Sequence, residues 1–386
     1  MMNARPLAGR ITTWIAIAMT LAGVSLSAFA GGAREADTRN QGEVAQIEVV
    51  DQWDRTVRIS GPVERVVVME WEGLVAKTMR LLGVDEAIIG VDNYAARQSF
   101  RRHLVPAIGE ATDIGSAWTG INYERLVSLR PDVVFLESWQ DTEENRAMHA
   151  TEVQRIEDLG IPVVVLVSPS NFAQPTLDRA WEHISIVGDV FQRPEEALRV
   201  VTAIEQRIDL VRERTQDIAP EDQVNVVLFA TTNYAMGVQS VQSYMLTEVV
   251  NANNLMRSGT FVPISEEQLL SLNPDVLVVL GHDGYLDPDL IFAGANMGLN
   301  WGNLQQLPAI AERRVVSLGY EEWRATIENA VGLLKIAKAV YPDRFADIDL
   351  EQEELRLYQE IYGMSESQAR QAAQLQLWID PSGFVE

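Results

Sequence analysis

Tyr123-Glu124-Arg125-Leu126-Val127-Ser128-Leu129-Arg130-Pro131-Asp132-Val133 has a second copy in this chain, Glu266-Glu267-Gln268-Leu269-Leu270-Ser271-Leu272-Asn273-Pro274-Asp275-Val276. The copies are offset by 143 residues, 124 against 267, and agree at seven of eleven positions: Glu, Leu, Ser, Leu, Pro, Asp and Val. Each reads as a short amphipathic helix, a Pro-Asp stop and an apolar strand, at 133–136 and Val276–Leu280. Proline cannot continue the helix, and it pushes the residue before it out of the α region. An aromatic stands six residues before each shared glutamate, Trp118 and Phe261. A solenoid would repeat every ~20–50 residues, so so wide a spacing predicts two similar lobes.

Outward from the repeats, strand and helix patterns alternate. The stretch 47–59 alternates on both sides of Asp51 and Asp54, as a β-hairpin does. Val66–Met69 is a continuous apolar run, the mark of a strand buried on both faces. A helix follows at 73–82, with Gly83 as its stop, then a strand at 87–91. Beyond the first copy come a helix at 143–159 and the strand Val163–Val167. Pro194–Thr215 is the longest helical pattern. Its Ala197, Val201, Ile204, Ile208 and Val211 make one apolar stripe, and Pro194 suits the first turn. It falls between the repeats and reads as a connecting spine. An ordinary surface helix of the first lobe is the alternative. The second half repeats the scheme, with strands at 224–229, Val276–Leu280 and Val315–Leu318 and helices at 243–250, 326–340 and Leu350–Tyr362. The expected fold is α/β: two lobes, each a central, mainly parallel sheet flanked by helices, joined by one long helix. The expected divisions are 47–192, the connecting helix 193–217, and 218–363. The Gln-rich segment 364–386 is an extension without an assigned role.

The 386 residues leave room for two domains, and 47% hydrophobic content is ordinary for a globular chain. A net charge of −24 argues against nucleic acid, which demands a basic face. Arg5 and Arg10, the apolar stretch 11–26 and Ala28-Phe29-Ala30 read as a cleavable secretory signal over 1–30, followed by a small, polar leader at 31–46. An uncleaved anchor is the alternative, but the apolar core is shorter than the ~20 residues of a spanning helix. With no cysteine, the chain has no thiolate metal site and no Cys for lipid attachment. A periplasmic protein is expected.

These residues carry a resemblance. Val50-Asp51-Gln52-Trp53-Asp54-Arg55-Thr56-Val57, Val63-Glu64-Arg65-Val66-Val67, both Pro-Asp repeats, Leu307-Pro308-Ala309-Ile310 before Arg314-Val315, and Gly332-Leu333-Leu334 through Tyr341-Pro342 occur in one order and spacing. In this the chain resembles the substrate-binding proteins of ABC importers, in the class that binds ferric siderophores, haem and cobalamin, over about residues 47–363. The resemblance implies a monomer that holds a small metal chelate in the cleft between its lobes and hands it to a permease dimer in the inner membrane. It implies no enzymatic activity and no resident cofactor. It also implies only modest closure about the rigid connecting helix. Glu124 and Glu267 would then pair with Arg residues of the two permease subunits. On their own residues they read as first-turn helix acids.

Trp118-Thr119-Gly120-Ile121-Asn122-Tyr123-Glu124 resembles a cobalamin-binder pattern in which the Trp faces the ligand, and Phe261 is its counterpart. Arg324 follows a predicted strand end. Its planar fork suits a ligand carboxylate, amide or phosphate, and a surface ion pair with Glu321 or Glu328 is the alternative. Further candidates at strand ends are Trp71, Tyr94, Trp139, Tyr234, His282 and Tyr320, with Glu70 and Glu72 beside Trp71. Arg97, Arg101 and Arg102 form a small basic group that reads first as a solvated helix face, with attraction of an anionic chelate as the alternative. His103, His149, His183 and His282 show no ligand spacing, which disfavours a bare-ion receptor. No Gly-x-Ser-x-Gly elbow, His-Glu-x-x-His pair or phosphate loop points to an exported enzyme. An iron complex such as a ferric siderophore is the leading ligand expectation and cobalamin the next, followed by a bare metal ion and then an enzyme.

Overall fold

The computed structural model describes residues 46–139, 142–169, 175–282 and 284–377. The signal expected at 1–30, residues 31–45 of the leader, and 378–386 of the extension lie outside the described residues.

The expected α/β architecture is observed. The first sheet is wholly parallel, in the order Thr112–Asp113, Ile88–Val91, Val66–Met69, Val133–Ser138, Val163–Val167. The second is parallel through Asn225–Ala230, Val276–Leu280 and Val315–Leu318, while Tyr234–Met236 and Phe261–Pro263 close one edge antiparallel. Phe261 therefore sits on a short strand rather than in a loop. The hairpin pairs Gln46–Val50 with Thr56–Ser60, burying Ile47, Val49, Val57 and Ile59.

Side chains alternate across each strand, so each sheet feeds two cores. Val66 and Val68 of the first sheet and Val226 and Leu228 of the second belong to one continuous core. Val67 and Met69 join a smaller cluster on the outer face of the first sheet, and Val227 and Phe229 one on the second. The helix Pro194–Thr215 buries the expected Ala197, Val201, Ile204, Ile208 and Val211. It packs on Asp178–Val190 of the first lobe and on Asn329–Val340 of the second, so it is the spine and not a surface helix of one lobe. Truncating Ile204 to Ala at this junction would cost about 2–5 kcal/mol.

The Pro-Asp repeats share one mechanism. The helix Tyr123–Leu129 is N-capped by Asn122, whose side chain accepts from Arg125 N. The helix Glu266–Leu272 carries a capping box between Ser265 and Gln268. Both end on a left-handed residue, Arg130 (φ 47°) and Asn273 (φ 49°), directly before the proline. The aspartate then ties the new strand to the start of its neighbour. Asp132 Oδ2 accepts from Glu64 N and Arg65 N at 2.8 Å. Asp275 Oδ2 accepts from Asn225 N at 3.1 Å.

Two boundaries differ from expectation. The helix expected at 326–340 begins at Asn329, because the segment before it turns several acids inward. The extension contains a helix, Glu366–Gln376, started by a second capping box at Ser365. It packs on Leu350–Tyr362 and reaches Ser99–Leu104 of the first lobe. Its Gln376 Oε1 accepts from Glu321 N at 2.8 Å. A Cβ on Gly319 would lie 2.6 Å from Gln376, so glycine permits that approach.

Candidate functional site

The strands of both sheets point their carboxyl ends at one place, where open α/β sheets bind ligands. In the first lobe Met69 runs into Glu70-Trp71-Glu72, and Val133–Ser138 runs into Trp139. In the second, Ala230 runs into Thr231-Thr232, Leu280 into Gly281-His282, and Leu318 into the segment ending at Arg324. Between them lies a cavity of about 450 Å³. Trp71, Glu72 and Trp139 line it from the first lobe; Thr232, Tyr234, Gln242, Phe261, His282, Trp323 and Arg324 line it from the second. A smaller cavity of about 250 Å³ opens within the first lobe, lined among others by Glu70, Trp71, Tyr94, Trp118 and Glu137. Trp71 is common to both.

The aromatic residues form a connected wall. Trp71 stacks on Tyr94 with centroids 3.9 Å apart and meets Trp139 edge-on at 6.0 Å. Trp118, 48% exposed, crosses Trp139 at 6.3 Å and His149 at 5.3 Å. It lines the smaller cavity, whereas Tyr234 and Phe261 (42% exposed) line the larger. Tyr320 lines neither. It is buried in the seam between the lobes, where its hydroxyl is hydrogen-bonded to that of Tyr94 and accepts from the Arg324 guanidinium.

Arg324 is 3% exposed and pairs with neither Glu321 nor Glu328. Its Nε donates to Glu72 Oε2 at 2.5 Å, across the lobes. Its guanidinium lies 4.5 Å from the Tyr320 ring centroid and 5.9 Å from that of Trp71. Burial makes this ion pair a structural element as well as a part of the cavity lining.

Beneath the cavity runs a seam of buried charge. Lys77 Nζ donates to Glu321 at 3.1 Å and to Glu328 at 2.7 Å. Arg101 is not on a solvated helix face: it is fully buried, and its Nε donates to Glu321 Oε1 at 2.8 Å. Its two terminal nitrogens have no hydrogen-bond partner among the described residues. Gly73, at φ 75°, makes room for it; a Cβ there would lie 2.4 Å from Arg101 Nε. Burial pushes the Glu321 carboxyl up, but Arg101, then Lys77 and Arg324, outweigh it and hold it at about 2. The acids of the first lobe behave oppositely. Burial raises Asp92 to about 7, and burial followed by the Glu72 and Glu70 carboxylates raises Glu137 well above the ordinary range.

Lys77, Arg101, Glu137 and Gln242 escaped the sequence reading as site or seam residues. A charge inside an apolar run is the signal that was available, as in Val-Val-Phe-Leu-Glu137 and Leu-Val-Ala-Lys77. Glu124 and Glu267 lie away from the cavities, exposed on their helices, and neither forms an ion pair among the described residues. No cluster of three or more metal-ligating His, Asp or Glu residues occurs among the described residues. No helix of the described residues is long and apolar enough to cross a membrane.

Comparison with known proteins follows the same lines. A periplasmic binding protein family model matches residues 66–322. The molybdate-binding protein MolA of Haemophilus influenzae is 26% identical over 341 residues, covering 82% of this chain and 91% of that protein. An uncharacterized ABC transporter substrate-binding lipoprotein of Bacillus subtilis, YvrC, is 21% identical, covering 86% of this chain and 97% of that protein. Among solved structures, a periplasmic solute binding protein of Veillonella parvula superposes with a TM-score of 0.71 at 18% identity, covering 86% of this chain and 98% of that one. Molybdate-bound MolA does so with a TM-score of 0.66 at 24% identity, covering 82% and 98%. With the family model spanning both central sheets and the cavity lining apart from Trp323 and Arg324, this chain belongs to the periplasmic binding protein family and is a solute-binding component of an ABC transporter.

Proposed function

We propose that the protein captures an iron complex, a ferric siderophore or similar chelate, between its lobes and delivers it to an inner-membrane permease dimer. The observation that carries this reading is the aromatic lining of the 450 Å³ cavity, walled by Trp71, Trp139, Tyr234, Phe261 and Trp323. A cavity of ~300–1,000 Å³ with aromatic walls and few polar groups suits a drug-sized ligand. Rigid rings bury large apolar area at little entropic cost. Arg324, the one Lys or Arg in that lining among the described residues, is already paired with Glu72. A bulky chelate whose own ligands screen its metal meets such walls better than a compact, strongly hydrated dianion. The ligand contacts belong to Trp71, Trp118, Trp139, Tyr234, Phe261 and Arg324, with Tyr94 and Tyr320 supporting them from behind. Glu124 and Glu267 are the permease-docking pair: exposed like charges on the two repeats suit a two-fold partner.

A second reading is molybdate. It is favoured by the 26% identity to MolA and by the donors Thr232, Gln242 and Arg324 in the cavity. Tryptophan-fluorescence titration separates the two, with ferric siderophores, haem, cyanocobalamin and molybdate as probes, corrected for ligand absorption. Saturable one-to-one quenching by a ferric chelate is expected. Saturation by molybdate alone would replace the first reading with the second. Trp118→Ala is expected to weaken chelate binding by about ten-fold, the worth of one buried aromatic contact.

A further inference from the structure

The 250 Å³ cavity of the first lobe is chemically unlike the main cleft. Glu70, Asp92 and Glu137 line it, and all three are buried. Glu70 is used locally, accepting from Val75 N at 2.6 Å and Ala76 N at 2.9 Å. Asp92 caps the helix Asn93–Arg97 by accepting from Ala95 N at 2.6 Å. Glu137 differs. Its Oε2 accepts from Trp71 N at 2.6 Å and Glu72 N at 2.9 Å, while its Oε1 is buried with no hydrogen-bond partner among the described residues. Only 6% of Glu137 is exposed, so an oxygen capable of two hydrogen bonds is withheld from water with none. The same cavity is lined by the stacked pair of Trp71 and Tyr94 and by the half-exposed Trp118, whose electron-rich ring attracts cations.

We propose that this cavity is a subsite for a cationic group of the captured ligand, a protonated primary amine received by Glu137 Oε1 beside the ring of Trp118. The inference rests on the reading of the protein as a chelate receptor and adds a chemical class to it: a complex with a pendant ammonium. Trp71 lines both cavities, so the body of the chelate on one side and its amine arm on the other share one wall. Burial and then the Glu72 and Glu70 carboxylates favour the protonated form of Glu137, so an arriving ammonium takes the place of that proton, which leaves to solvent. Arg324 is committed to Glu72, and Arg101 to Glu321. Arg97, exposed in the lining, is the opposing cation and would meet an anionic part of the same ligand.

Two probe pairs at fixed pH test this on the folded protein. The first is n-butylammonium against 1-butanol by ligand-observed NMR. The second is a ferric trihydroxamate with a pendant primary ammonium against its N-acetylated form, by tryptophan fluorescence. The ammonium member of each pair is expected to bind about ten-fold more tightly. Glu137→Gln, which keeps an oxygen for the Trp71 and Glu72 N–H groups, is expected to bring both ratios to about one. Equal affinities within both pairs in the wild type would overturn the subsite while leaving the chelate reading intact. Preference for n-butylammonium with neither chelate bound would overturn the chelate reading and keep the subsite. Ratios unchanged in Glu137→Gln would remove Glu137 from it.

Discussion

The two lobes are alike where their strands begin and unlike where they end. At the beginnings, Asp132 and Asp275 each accept from a backbone N–H at the start of the neighbouring strand, Arg65 and Asn225, after helices closed by left-handed Arg130 and Asn273. At the ends, the first lobe presents Glu70, Glu72 and Glu137, all buried; the second presents Thr231, Thr232 and His282 after two strands and, after Leu318, the buried Glu321 and Glu322 together with Arg324. The amino ends set strand spacing, a demand both lobes share. The carboxyl ends face the cleft, where each lobe meets a different part of the ligand and is free of its twin's constraints. A duplicated scaffold has thus become an asymmetric site, and Arg324 of the second lobe answers the acids of the first.

The largest effect that would sharpen this contrast lies in that cross-lobe pair. Arg324→Ala leaves Glu72 buried without its cation and is expected to cost about 3–5 kcal/mol in urea unfolding. Thr231→Val, at a carboxyl end of the second lobe, is expected to cost less than about 1.5 kcal/mol. Equal costs would break the claim that the carboxyl ends carry different loads.

The next effect is the pH dependence that the buried Asp92 brings to the first lobe. The folded value of Asp92 is raised from 3.8 to about 7, so folding favours its neutral form. Its contribution is fully favourable below pH 3.8 and is lost as pH rises towards 7. A shift of about three units sets an upper bound of ~4 kcal/mol. Asp92→Asn can keep the cap on Ala95 and is expected to match the wild type at pH 4 and exceed its stability at pH 7.5, read from urea midpoints. The exposed Asp289→Asn is the control, expected to show no such trend.

Smaller, and equal in the two lobes, should be the loss from the scaffold aspartates. Asp132→Ala and Asp275→Ala each unpair backbone N–H groups and are expected to cost about 1–3 kcal/mol. Calorimetric costs differing by more than that span would show that the repeats no longer do the same structural task. Smallest is the combination Glu124→Ala plus Glu267→Ala, expected to change stability by less than about 0.5 kcal/mol and to leave ligand affinity intact. Uptake in cells should nevertheless fall; normal uptake would end the docking assignment.

Much of the scaffold was legible before any coordinates. The strands Val66–Met69, Val163–Val167, Val276–Leu280 and Val315–Leu318 and the helices Pro194–Thr215 and Leu350–Tyr362 lie where apolar periodicity puts them. Less of the site was legible. Trp71, Trp139, Tyr234, Phe261 and Arg324 come together around one cavity, and Trp118 and Tyr94 around its neighbour. Arg101 was misread because helical position alone does not show that the helix Glu366–Gln376 and the segment of Glu321 cover it.

The sequence by itself determined the duplication, the two parallel sheets and the spine between them, because hydrophobic period and Pro-Asp chemistry act over a few residues. Only the tertiary structure decided which charges are buried and with whom. Glu72 and Arg324 are 252 residues apart in the chain, and Lys77 and Glu328 are 251. Their pairing follows from how two sheets and three helices close over one seam. In that low-dielectric seam a charge is tolerated only beside its partner, so packing, not local pattern, settles which acids are ionised and which oxygen is left waiting.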